Sequence, residues 1–156
     1  MHSALVAIDE SEISKALIKY AFLFAGQEEM EHLDFIHVIP GRGNTMIISD
    51  PDHPAVMPDE ETARAEARDK LFEQLKKSVE NPQNPEVTFD LLVRTGTPYE
   101  EIILQAERGD YDFILIGHRG MSNVKRFFIG SVAARVVRHA PCSVLIFHPS
   151  DDKEKA

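Results

Sequence analysis

Three glycines and a serine carry the spacing most suited to chemistry. Gly117 and Gly120 are followed, after nine residues, by Gly130 and Ser131. The apolar run Phe113-Ile114-Leu115-Ile116 precedes them, and a helical pattern from Val132 to His139 follows. Glycine lets backbone approach a ligand closely. A helix N-terminus presents unpaired N–H groups and a partial positive charge, which suits phosphate. Arg119, Lys125 and Arg126 add positive charge to the same stretch of an otherwise acidic chain. A strand, a glycine-punctuated loop and a helix opening on Gly-Ser together make an anion cradle. The spacing is neither G-x-x-x-x-G-K-[ST] nor G-x-G-x-x-G.

Other chemistry-bearing residues support weaker readings. Asp9, after a first apolar run, serves as a turn or cap residue. It also suits acceptance from a ribose hydroxyl or help in holding Mg²⁺, because carboxylates bind hard cations. His118 reads as a hydrogen-bonded spacer or surface residue rather than a catalytic base. His139 and Cys142 stand at H-x-x-C spacing, but no second ligand pair accompanies them and Pro141 interrupts. Cys142 reads as a buried structural thiol. No Ser-His-Asp or Cys-His arrangement can be assembled, and no catalytic residue is assigned.

The elements that must position these groups follow from periodicity. Short apolar runs at Ser3–Ile8, Leu33–Ile39, Glu86–Arg94, Asp112–Ile116 and Ser143–Phe147 predict strands. Helical spacing predicts helices over Glu12–Ala25, with Gly26 as its stop, and over Glu60–Val79, with Asp59 as its cap. The second helix has a narrow stripe of Ala63, Ala67, Leu71, Leu75 and Val79. Its solvent face offers Glu60–Arg64, Glu66–Lys70 and Glu73–Lys77 as i,i+4 pairs. Thr97-Pro98-Tyr99-Glu100 reads as a capping box opening a third helix that runs to Arg108, with Ile102, Ile103 and Ala106 inward. Ser131–His139 is the fourth. The irregular, proline-rich stretch from Pro40 to Pro58 reads as a long loop of functional or disordered character. The alternation of strands and helices calls for an α/β three-layer sandwich, Rossmann-like, with a five-stranded parallel sheet.

Composition bounds the function. A chain of 156 residues has room for one well-buried core. Residues 1–150 form a single expected domain, with 151–156 a frayed, charged tail. A formal net charge of −9 argues against general nucleic-acid binding and against attraction to an anionic membrane. No apolar run approaches a membrane span, and the start lacks a basic n-region before a long apolar stretch. A lone cysteine excludes an internal disulfide and fits a reducing compartment, so a cytoplasmic location is expected.

The spacing Gly117-x2-Gly120-x9-Gly130-Ser131 resembles the nucleotide-binding motif of the universal stress protein family, G-x2-G-x9-G-[S/T]. The opening from Leu5 to Asp9, with Ser11 and Glu12, is similar to that family's first strand and turn. His139 to Leu145 resembles its closing segment, although many members have proline where this chain has Ser143. The resemblance spans Leu5 to Phe147. It implies strand order 3-2-1-4-5 and a site for ATP, with or without Mg²⁺. It places Ala7 and Asp9 beside base and ribose, and Val38 against adenine through its backbone. Ile116 and Gly117 would approach base and sugar, and Arg119 and Gly120 the ribose and phosphates. Gly130, Ser131 and Val132 would hold the phosphates. It further implies a homodimer closed through Ser143–Phe147, an apolar strand at a sheet edge. Three functions stay open at this level. One is an ATP-binding regulatory or stress-response module. Another is a slow ATP hydrolase using the same pocket, though no residue clearly acts on a water. The last is a dimeric interaction module that does not bind nucleotide.

Overall fold

The computed structural model describes residues 2–41, 60–79, 86–119 and 129–150. The elements run β1 (Ser3–Ala7), α1 (Glu12–Gln27), β2 (His32–Pro40), α2 (Glu60–Val79), β3 (Thr88–Gly96), α3 (Pro98–Arg108), β4 (Phe113–Gly117), α4 (Ser131–His139) and β5 (Ser143–Phe147). All five strands are parallel, in the order β3-β2-β1-β4-β5. This is the Rossmann-like α/β sheet and the strand order expected above. Each β1 residue is buried, because the strand is covered on both faces and flanked on both edges.

Alternation along the strands divides the core in two. Val6, Phe35 and Leu115 face α1 and α2, where they meet Leu17, Ile18, Ala21, Leu71 and Leu75. Leu5, Ile36, Ile114 and Ile116 face α3 and α4, where they meet Ile102, Ala106, Ala133 and Val136. Phe22, Phe35 and Phe89 add offset and edge-to-face ring contacts on the first side. Tyr20 packs its ring 5.0 Å from Phe147, tying α1 to the far strand.

Several local expectations shift. Helix α1 runs past Gly26 to Gln27. Its end is set by Glu29, which adopts φ 53, and by N–H bonds from Glu28 to Phe24 and from Met30 to Ala25. The helix stops where buried Met30 can dock, and Glu29 takes the left-handed position that glycine usually fills. Ser11 caps α1, accepting from Ser14 N at 3.2 Å. Thr97 makes no side-chain capping bond to α3, so the capping box is absent. Proline at the helix start removes one donor that needed satisfying, and Glu100 is engaged by the Tyr99 hydroxyl at 3.1 Å. On α2, Arg64 pairs with Glu60 and also reaches Thr95 on β3. Lys70 turns to Glu10, and Glu73 pairs with Lys76 rather than Lys77. Cys142 is half-buried rather than buried, since it precedes an edge strand. Burial, then the charge of Asp112, pushes its thiol pKa up. Asp59, nearly all of the Pro40–Pro58 stretch and the tail 151–156 lie outside the described residues.

Tyr111, between α3 and β4, ties the two layers together. Its hydroxyl donates to Asp34 Oδ2 at 2.6 Å and accepts from Gln105 Nε2 at 3.0 Å. Burial first, and then the bond to Asp34, push the phenol up from 10.0 to about 12. The folded state therefore holds this proton more tightly than the unfolded chain. Its contribution is fully present below pH 10.0 and is lost as pH rises through about 12. Unfolding free energy from urea titrations is expected to fall across that window. In Tyr111→Phe the fall is shallower, and the variant starts about 1–2 kcal/mol lower at neutral pH.

Candidate functional site

The order of strands reverses between β1 and β4, and the loops leaving their carboxyl ends part there. A cavity of about 490 Å³ opens at this point. Ala7, Asp9, Val38, Ile116, Gly117, Arg119, Gly130, Ser131 and Val132 all line it, so nine of the ten residues singled out above share one space. Gly120 lies outside the described residues, as do Lys125 and Arg126.

Asp9 is fixed before any ligand arrives. Its Oδ1 accepts from Ser11 N at 2.8 Å and from the Ser14 hydroxyl at 2.9 Å. The same hydroxyl accepts from Asp9 N at 2.8 Å. Ser14 is 5% exposed, so this exchange takes place away from water and holds the turn in one shape. The turn role and a ligand role are thus compatible, because Oδ1 is used by the turn and Oδ2 is the carboxylate's second acceptor. On the next strand, His37 Nδ1 lies 3.0 Å from Ile8 O, a carbonyl, so this nitrogen carries the proton.

The glycines are there for backbone proximity. Gly130 N donates to His118 O at 2.6 Å, and a Cβ on Gly130 would stand 3.3 Å from Arg119 Cα. The two ends of the glycine segment are therefore pinned together at the cavity wall. This bond occupies the Gly130 N–H, which is therefore not offered to the cavity. Gly130 is the N-cap and supplies no side chain, leaving the N–H groups of Ser131, Val132 and Ala133 at the cavity edge without a side-chain cap. A Cβ on Gly117 would meet Ile13 Cγ2 at 2.8 Å. His118 does not line the cavity. It is 5% exposed, donates its N–H to Phe147 O and stacks on His148 at 4.1 Å. His139 rests against Tyr99, with ring centres 6.3 Å apart.

Some lining residues escaped the reading of the sequence. Ala63 and Ala67 of α2 close one wall, with Ile39, Pro40, Pro98 and Ile102 nearby. The stripe on α2 held the clue. Its small members, Ala63 and Ala67, border the cavity, whereas its large members, Leu71 and Leu75, enter the core. An apolar floor, a fixed carboxylate, Arg119 and an uncapped helix start can accept a flat apolar group at one end and an anion at the other.

A parallel α/β sheet with its crevice at the strand reversal defines a Rossmann-like α/β domain. Residues 1–148 match the Universal stress protein family, and the chain belongs to that family. A universal stress protein of Synechocystis sp. is 30% identical over 154 residues, covering 91% of this chain and 94% of its own length. One from Methanothermobacter thermautotrophicus is 38% identical over 74 residues, which span 47% of this chain and 50% of that relative. Among solved structures, UspA from Lactobacillus plantarum superposes with a TM-score of 0.73 at 22% identity, covering 94% of this chain and 97% of that one. The Archaeoglobus fulgidus universal stress protein in complex with dAMP gives 0.60 at 24%, covering 95% and 98%. A universal stress protein in complex with cAMP gives 0.61 at 19%, covering 96% and 98%.

The Asp9–Ser14 exchange gives a direct test. Ser14→Ala leaves the Asp9 N–H without its partner and Oδ1 with only the Ser11 N–H, and a loss of about 1–3 kcal/mol is expected from urea unfolding. An unchanged midpoint would mean that the turn keeps its shape without the hydroxyl.

Proposed function

We propose that the chain is an ATP-binding universal stress protein in which bound nucleotide governs a regulatory or stress-response interaction. The observation that carries this is the single cavity shared by Asp9, Gly117, Arg119 and the uncapped start of α4. The apolar floor from Ala7, Val38 and Ile116 suits adenine, Asp9 suits the ribose hydroxyls, and the helix start suits phosphate. Related folds in complex with dAMP and cAMP support an adenine nucleotide as the ligand class. ATP rather than a monophosphate is favoured by Arg119 and by the basic residues Lys125 and Arg126 in the same segment. Mg²⁺ would neutralise the remaining phosphate charge, and Asp9, which lines the cavity together with Glu10, suits helping to hold it.

Mass spectrometry of nucleotide released on denaturation, followed by calorimetric titration of ATP with Mg²⁺, tests the reading. Saturable binding is expected, weakened tenfold or more in Gly130→Asp, whose new carboxylate would stand at the phosphate end of a helix that it still caps well. No binding by the unaltered protein would overturn the proposal and leave an interaction module. Sustained phosphate release would instead make the pocket that of a slow hydrolase.

We further propose a homodimer paired through β5. Among the described residues this strand bonds to β4 on one side only, and its apolar residues are half-exposed at the sheet edge. Light scattering at micromolar concentration is expected to give twice the 17.6 kDa of the chain. The mass of a single chain would refute the pairing.

A further inference from the structure

At the opposite end of the sheet from the cavity, the first residues of β2 and β3 bring together an imidazole and two carboxylates. His32 and Asp34 lie two apart on β2, and Asp34 is the register partner of Asp90 on β3. All three therefore project from one face. His32 Nε2 stands 3.2 Å from Asp34 Oδ1 and 3.5 Å from Asp90 Oδ2, and the three donor atoms lie within 4.8 Å of one another. We propose that His32, Asp34 and Asp90 bind a divalent transition-metal ion of the Zn²⁺ type.

The hydrogen bonds around the cluster fix which atoms face inward. The Thr88 hydroxyl donates to Glu31 O at 3.1 Å, so it accepts from His32 Nδ1 at 2.7 Å. Nδ1 carries a proton, and the ring turns Nε2 toward two carboxylate oxygens. Asp34 Oδ2 is taken by the Tyr111 hydroxyl, which leaves Oδ1 for the cluster. The two carboxylates are cross-strand neighbours, an arrangement that repels unless a positive charge lies between them. An added proton on Nε2 is one such charge; a metal ion is the other.

The nitrogen-to-oxygen spacings accommodate the metal. Zn–N and Zn–O bonds of about 2.0–2.2 Å in a tetrahedron set neighbouring ligand atoms about 3.3–3.5 Å apart, close to the 3.2 and 3.5 Å from His32 Nε2 to the two carboxylates. The supporting bonds, Thr88 to the imidazole and Tyr111 to the carboxylate, are the kind that orient ligands around a metal. One nitrogen and two carboxylate oxygens suit Zn²⁺ or Co²⁺ better than Mg²⁺, which prefers an all-oxygen octahedron. Side-chain exposure rises from 21% at His32 and 18% at Asp34 to 75% at Asp90. The fourth position therefore opens on the Asp90 side, where water completes the set.

Calorimetric titration of Zn²⁺ into chelator-treated, nucleotide-free protein, with Co²⁺ visible absorption as a second readout, tests the site. One saturable equivalent with a tetrahedral Co²⁺ spectrum is expected. His32→Gln should abolish it, the exposed Asp90→Asn should weaken it at least tenfold, and excess Mg²⁺ should not compete. ATP affinity in both variants should match that of the unaltered protein, which separates this site from the nucleotide pocket. Absence of saturable binding, or binding that both substitutions leave unchanged, would overturn the proposal and assign the positive charge to protonated His32.

Discussion

The central placement of β1 is the constraint on which the rest depends. Its five residues pair with β2 on one edge and β4 on the other, and they are buried on both faces. Because the chain builds outward from β1 through β2 to β3 on one side and from β4 to β5 on the other, the loops after β1 and β4 must part at their carboxyl ends. The cavity is that parting. Its floor is the last turn of the core, at Ala7 and Ile116, and its rim is the two loops carrying Asp9 and Gly117.

Each rim is held by hydrogen bonds that a ligand does not have to form. Ser14 clasps the Asp9 turn through both the main chain and the carboxylate. Gly130 is drawn onto His118 O, while His118 N is drawn onto Phe147 O, so the start of α4, the end of β4 and the end of β5 are linked in series. This series connects the α4 end of the cavity to the edge strand, so a displacement of the start of α4 acts on a backbone already joined to β5.

The two ends of the sheet differ in chemistry for a reason that lies in the strands themselves. On the α3 and α4 side, β2 reads His32, Asp34, Ile36, Val38 from its amino to its carboxyl end. The apolar half floors the cavity, and the polar half meets Asp90, Tyr111 and Gln105 in a network of its own. Polar groups so close to a core persist because they bond to one another, and burial, followed by the bond to Asp34, keeps the Tyr111 proton in place to well above the ordinary tyrosine range.

Much of this was legible in the residues alone. Alternating apolar runs and helical stripes located the nine elements of the described residues, and the spacing of Gly117, Gly130 and Ser131 located the cavity wall, because periodicity and glycine placement are local properties of a chain. The strand order was not contained in the pattern and came from the family resemblance. Tertiary contacts decided the rest. Only packing could show that Ala63 and Ala67 border a cavity while Leu71 and Leu75 fill a core, although all four belong to one stripe. Only the docking of Met30 carries α1 beyond Gly26, and only the exchange with Tyr99 draws Glu100 away from a cap. Asp34 and Asp90 stand far apart in the chain, and no motif joins them to each other. Their juxtaposition beside His32 exists because β2 and β3 pair in one register, and register is set by which side chains the two faces of the whole sheet can bury.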